Sequence, residues 1–162
     1  MASGLPPAAE APSLQPEEFA AVVAAAPLVS IDLIVTNGEG AALLGLRANQ
    51  PALGWWFVPG GRIRKNESLD AALRRLTGEE LGLSAPLPEP RFGGVYEHFY
   101  DIDFRGIAGA STHYLALAYR LRAEPAELRL PHQQHTSYRW FQPQHILDHP
   151  DIHPYARAYF VK

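Results

Sequence analysis

Apolar residues recur along this chain at two different periods, and the switches between them mark out its elements. Leu28 to Val35 (LVSIDLIV) is an apolar run broken only by Ser30 and Asp32, which predicts a largely buried strand. Asn37-Gly38-Glu39-Gly40 then predicts a hairpin turn, and a second strand returns over Ala41 to Leu46. Trp55 to Val58 reads as a short aromatic strand stopped by Pro59-Gly60-Gly61. Phe92 to Tyr100 and Thr112 to Arg122 predict two further strands. In the latter, His113, Leu115, Leu117, Tyr119 and Leu121 share one face, and Tyr114, Ala116 and Ala118 the other. Tyr138 to Phe141 is a last short strand.

Between these runs the spacing changes to that of a helix. Leu69, Ala72, Leu73 and Leu76 form one apolar stripe, with Asp70, Arg74 and Arg75 lying off it. Ser68 is placed to cap this helix and Gly82 to end it. Gly78 lies inside it at a cost of about 1 kcal/mol against alanine, so a loose last turn is expected. Phe19, Val22 and Val23 predict a short helix over Glu17 to Ala26, and two more helical segments fall near Gln144 to Leu147 and Pro154 to Phe160. Residues 1–16, rich in Ala, Pro and Ser without a periodic apolar face, are expected to be a flexible tail ahead of a single domain over 17–162. Strands and helices mix without regular βαβ alternation, so the fold class is α+β.

Composition narrows the partners. Hydrophobic residues make up 47% and charged residues 19%, as in ordinary globular domains, and the net charge of −3 comes without a Lys/Arg cluster. That balance argues against nucleic acid or an anionic membrane as the main partner. The absence of cysteine removes disulfide and thiolate chemistry and fits a reducing cytoplasm, the expected location. The start of the chain lacks the charged and apolar regions of a signal peptide, and no apolar run is long enough to span a bilayer.

Candidate chemistry centres on the run from Gly61 to Leu83, GRIRKNESLDAALRRLTGEELGL. The spacing of Gly61, Glu67, Arg75, Glu79, Glu80, Gly82 and Leu83 resembles the Nudix box, the signature of hydrolases acting on nucleoside diphosphates linked to another moiety. The resemblance implies the Nudix fold, a mixed β-sheet sandwiched between helices, and acidic residues that hold Mg²⁺ against a diphosphate. One position departs from the box: Leu76 stands where a glutamate is called for. Without that carboxylate a second or third metal is harder to hold, and another residue must activate water.

Motifs outside the box make the resemblance narrower. PLVSID (27–32), LGLRANQPALGWWFVPGGR (44–62), RLTGEELGL (75–83), HFYD (98–101), THY (112–114), and LP followed by QQH and YRWF (130–141) together resemble GDP-mannose mannosyl hydrolase. That family cleaves GDP-mannose to GDP and free mannose with Mg²⁺, attacking sugar C1 with inversion. The resemblance implies that the Gly60 carbonyl, Glu80 and Gln134 hold the metal, with Mn²⁺ a possible substitute for Mg²⁺, and that His135 is the general base. It implies that Arg47 and Arg62 steady the departing diphosphate. Asp32, His98 and Tyr114 would surround sugar and phosphates, Phe19 would reach the guanine pocket, and the protein would be a homodimer. Two rivals are a Nudix pyrophosphatase that releases a nucleoside monophosphate and sugar phosphate, and an inactive nucleotide-sugar sensor.

The residues themselves leave several roles open. Glu67 fits either metal binding or a loop-positioning pair with Arg75. Glu79, often missing from the family, fits a second metal or, better, a solvated position. Asp32 in an apolar strand needs a partner, an arginine being one answer. His98 fits packing or substrate contact, Tyr114 packing or a pocket, and Arg47 a surface charge or a phosphate clamp. Trp55 and Trp56 read as core. His135 reads as lying in a polar loop, where an imidazole is ordinarily just solvated, and the role of His132 is open.

Overall fold

The computed structural model describes residues 14–84 and 89–161. Its elements are α1 (Pro16–Ala25), β1 (Leu28–Thr36), β2 (Ala42–Arg47), β3 (Trp56–Phe57), β4 (Gly60–Arg62), α2 (Leu69–Leu81), β5 (Arg91–Ile102), β6 (Ala108–Arg122), β7 (His135–Phe141), α3 (Pro143–Asp148) and α4 (Pro154–Ala158). The expected tail falls mostly on residues 1–13, which lie outside the described residues; α1 begins at Pro16.

β1 organises the sheet. It runs parallel to β6 from Leu28↔Tyr114 to Thr36↔Arg122, and antiparallel to β4 on its other edge. It meets β2 only at the hairpin end, Thr36↔Ala42, beyond which β2 turns away to pair with β3 and β7. The seven strands therefore form one mixed sheet that opens between β1 and β2, and the opening is where a cleft can form. Period-two alternation sends Ile34 to one face, with Leu44, Trp56, Ile146, Ile152 and Tyr159, beneath α3 and α4. Ile31, Leu33 and Val35 go to the other, with Leu43, Leu76, Leu81 and Leu121, beneath α2. Helices cover both faces, as the α+β, Nudix-type expectation required.

Most differences from the sequence expectation lie at glycines and at strand ends. The Gly60-Gly61 segment is strand β4, where a stop was expected, because the edge of β1 opposite β6 carries backbone groups that need partners. Leu69 is 47% exposed, so the buried face of α2 starts at Ala72 and continues through Leu76, Thr77, Glu80 and Leu81. Gly78 does not loosen the helix. Ser68 Oγ accepts from Ala71 N, and Gly82, in the left-handed conformation, donates to Gly78 O while Leu83 N donates to Thr77 O, a doubly bonded terminus. Among the described residues no helix is long and apolar enough to cross a membrane.

Candidate active site

A cleft of about 980 Å³ opens between β1, β4 and β6, with α1 and the tip of the β5–β6 hairpin on its rim. Of the residues to which the GDP-mannose mannosyl hydrolase resemblance gives a role, all line it except His135; Glu67, another candidate metal ligand, does not line it either.

The loop before α2 is held by a charged clasp. Arg75 donates from Nε to Glu67 Oε1 at 2.7 Å and from Nη2 to Glu67 Oε2 at 2.8 Å, while Nη2 also reaches Arg62 O at 2.9 Å. Glu67 Oε2 accepts from Arg64 N at 2.9 Å as well. This bidentate pairing holds the Glu67 carboxyl below its ordinary range and the Arg75 guanidinium above its own. These contacts are the loop-positioning pair with Arg75, one of the two roles expected of Glu67. Glu79 is exposed and bonded to Arg75 Nη1 at 2.9 Å and Arg64 Nη2 at 3.5 Å, which matches the solvated position.

Glu80 is placed differently. It is 3% exposed, its Oε1 accepts from Gln134 Nε2 at 2.5 Å, and its Oε2 is buried without a partner among the described residues. Burial pushes its carboxyl up to about 7, with Arg47 acting in the opposite sense. Gln134 Oε1 in turn accepts from Arg47 Nη1 at 3.3 Å.

Gly60 stands opposite Asp32, in a pair flanked by the Leu33 N–Pro59 O and Ile63 N–Val29 O hydrogen bonds. Alternation makes it a non-hydrogen-bonded pair, so the Gly60 carbonyl points away from β1. A Cβ on Gly60 would lie 2.4 Å from Ile31 O and 2.9 Å from Asp32 Oδ1, so only glycine lets β4 approach this closely. An orphaned carboxylate oxygen, an amide and an outward carbonyl all line the cleft, and with the Gln134 amide turned to present its oxygen they would offer an all-oxygen donor set of the kind that suits Mg²⁺. Among the described residues no group of three or more His, Cys, Asp or Glu offers an alternative cage. Leu76 is 2% exposed and fills the space under β4, where a Cβ on Gly61 would lie 2.6 Å from its Cδ2.

Deeper in the cleft, Asp32 is buried and accepts from Tyr159 Oη at 2.5 Å. The expected arginine partner is thus a tyrosine, and Arg47 acts on Asp32 only through space. Burial raises the Asp32 carboxyl to about 6 against the lowering effects of the Tyr159 bond and Arg47. His98 is 4% exposed, stacks on Tyr155 with ring centroids 4.4 Å apart, and places Nε2 3.2 Å from Tyr159 Oη. Burial, helped by His153, lowers its imidazole to about 4. Tyr114 lies near Arg62 and Arg47, and Arg62 stacks over the Phe19 ring at 3.9 Å, with Phe104 4.8 Å from Phe19. Arg47 is no free surface charge, because Gln134 binds it.

His135 opens β7, opposite Arg47, where a polar loop was expected; the outer edge of β2 captures this segment, and Ala48 N donates to Gln134 O at 2.9 Å. Its ring is fully buried over Gly45, where a Cβ would lie 2.4 Å from His135 Cδ2. Tyr138 Oη donates its single proton to Pro131 O at 2.5 Å and lies 3.2 Å from His135 Nδ1. Nδ1 must therefore be the protonated nitrogen, and Nε2, buried without a partner among the described residues, holds the free lone pair. Burial and then Arg47 lower this imidazole to about 4, so the ring is neutral near pH 7. His132 is exposed and packs edge-on to Tyr138 at 5.8 Å. Trp56 is core, whereas Trp55 is 36% exposed, edge-on to His153.

Sequence reasoning missed Tyr159, Phe104 and Tyr138. Phe104 sits in a hairpin tip without periodicity, and Tyr159 reads as one more apolar residue near the chain end. No local pattern pairs Tyr159 with Asp32, 127 positions away.

The family description NUDIX domain matches residues 26–161. The chain is 44% identical over 144 residues to the low-salt glycan biosynthesis protein Agl8 of Haloferax volcanii, covering 88% of this chain and 86% of that protein. The MutT NUDIX hydrolase from Burkholderia pseudomallei is 27% identical with a TM-score of 0.65, over 83% of this chain and 96% of that one. The NUDIX domain of Shewanella oneidensis NrtR, complexed with ADP ribose, shares the fold at 19% identity and a TM-score of 0.61, over 90% and 95% of the two chains.

Proposed function

The chain belongs to the Nudix hydrolases, and from that premise we propose that it hydrolyses GDP-mannose, or a close GDP-sugar, to GDP and free sugar by water attack at the anomeric carbon. One observation carries the reading. Leu76 replaces the box glutamate, Glu67 and Glu79 are both bound to Arg75, and of the α2 carboxylates that line the cleft only Glu80 keeps an oxygen without a partner among the described residues. That single oxygen serves a metal and leaves no helical carboxylate to activate water over phosphorus.

A divalent ion such as Mg²⁺, or Mn²⁺ in its place, held by the Gly60 carbonyl, Glu80 and Gln134, would supply positive charge to the diphosphate. Arg47 and Arg62 present guanidinium forks to the same phosphates, so GDP departs without needing a proton. Asp32, His98 and Tyr114 bind around sugar and phosphates, and Phe19 borders the guanine end. The anomeric carbon carries positive charge in an oxocarbenium-like transition state. His135 takes the proton of the attacking water at Nε2, the nitrogen that Tyr138 leaves free. This role requires the start of β7 to carry the ring from its seat on Gly45 into the cleft. The working unit is a homodimer of the 17–162 domain, acting in the cytoplasm without nucleic acid or membrane partners. The glycan biosynthesis name of the Haloferax relative agrees with a sugar-bearing substrate.

Hydrolysis of GDP-mannose in ¹⁸O-labelled water is expected to place the heavy oxygen in free mannose. Label in a phosphate would instead establish the pyrophosphatase reaction. Tight binding with Mg²⁺ and no turnover would establish a nucleotide-sugar sensor.

A further inference from the structure

Tyr159 belongs to none of the motifs in the sequence, yet it touches two cleft residues at once. It follows the last turn of α4 and is 1% exposed. Its ring packs edge-on to Tyr96 at 4.6 Å, and its carbonyl accepts from Arg120 Nη2 at 2.5 Å. The hydroxyl is therefore fixed from both sides, 2.5 Å from Asp32 Oδ2 and 3.2 Å from His98 Nε2.

A phenol has one proton, and the carboxylate at the shorter distance takes it. His98 Nε2 must then be a donor toward Tyr159 Oη. With burial lowering His98 to about 4, the ring is neutral near pH 7 and has only one N–H. Nδ1 is left unprotonated in a residue that lines the cleft, and neither it nor Asp32 Oδ1 has a hydrogen-bond partner among the described residues.

We infer that Tyr159 is the positioning residue that sets the proton pattern of the sugar end of the cleft: by giving its proton to Asp32 and receiving one from His98, it leaves both as acceptors for hydroxyl groups of a polyhydroxylated substrate. The inference rests on the nucleotide-sugar reading for the identity of those hydroxyls, but the proton pattern itself is independent of it. Placed at the sugar end of the cleft, two acceptors serve the glycosyl hydroxyls and offer no donor to the diphosphate, whose oxygens are themselves acceptors. Tyr159 acts through Asp32 and His98 and does not touch the reacting atoms.

Two measurements at fixed neutral pH test this. Nitrogen-15 spectra of the full chain are expected to show His98 protonated on Nε2. Tyr159→Phe keeps the ring and its packing while removing the hydroxyl, and is expected to convert His98 to a tautomer mixture. Asp32→Ala leaves the Tyr159 proton without its carboxylate and is expected to move the His98 hydrogen to Nδ1, which provides a second route should Tyr159→Phe not fold. In kinetics, Tyr159→Phe should raise KM for GDP-mannose about tenfold, the worth of one good hydrogen bond, while the inhibition constant of GDP stays within about twofold. A wild-type His98 protonated on Nδ1, or a tautomer unchanged in both variants, would overturn the assignment. Equal losses for GDP and GDP-mannose would reduce Tyr159 to a structural residue. Absence of turnover in the wild type would count against the proposed reaction alone, because the spectra are read without it.

Discussion

His98 shows what burial does to a single ionisable side chain in this protein. Unfolded, it takes up a proton near its ordinary value of 6.5; folded, it does so only near 4. Between those values the unfolded state binds more protons, so this residue makes stability rise with pH from about 4 to about 6.5. From pH 5 upward the contribution is ~2 kcal/mol, at about 1.4 kcal/mol per unit. Asp32 and Glu80, raised to about 6 and about 7, oppose it over part of the same range. Comparing urea unfolding at pH 5 and pH 7, His98→Phe is expected to gain less stability on the way up than the wild type does. An equal gain in both would mean that His98 ionises freely in the folded state. At this scale the sequence carried partial information. Asp32 in an apolar strand announced that it needed a partner, but the identity of that partner is a three-dimensional fact, supplied by Tyr159 from the far end of the chain.

Elements differ in how much of their formation is local. The bounds of helix α2 were legible because their signals are its own, the Ser68 cap and the Gly82 terminus, whereas its buried face was read only in part: Leu69 is exposed, and tertiary packing buries Thr77 and Glu80. Strand β4 was hidden because its glycines report a close approach to β1, which only the assembled sheet reveals. The start of β7 was hidden for a similar reason, since pairing with β2 places His135 in a strand. Gly45 on β2 makes that register possible by leaving room for the His135 ring. Gly45→Ala is accordingly expected to destabilise the protein by about 1–3 kcal/mol, the usual range for overpacking a filled space. Combining it with His135→Ala should recover part of that loss, because the ring that the new methyl meets is gone. Chemical denaturation of the two single variants and the double variant measures the coupling. Strict additivity would mean that the ring does not sit on Gly45.

Across the whole molecule, the two ends of the chain contribute in opposite ways. Helix α1 places Phe19 under Arg62 at the cleft rim but gives only Val23 to the buried core. The C-terminal segment gives Ile146, Ile152, Ala156 and Tyr159, all buried, and closes one face of the sheet. Burying a large apolar side chain contributes about 1.5–3 kcal/mol, against a total stability of roughly 5–15 kcal/mol. A chain that begins at Ala26 should therefore remain folded, with a melting temperature lowered by only a few degrees, and should bind GDP about tenfold more weakly because the Phe19 wall is gone. A chain ending at Asp151 loses Ile152, Ala156 and Tyr159 together, exposes the face beneath α4, and strips Asp32 and His98 of their shared hydroxyl. It should show no cooperative melting transition. Thermal unfolding of the two truncated chains beside the full one decides the matter. A cooperative transition in the chain ending at Asp151 would show that the sheet and α2 hold the fold by themselves, leaving the C-terminal segment to serve the cleft alone.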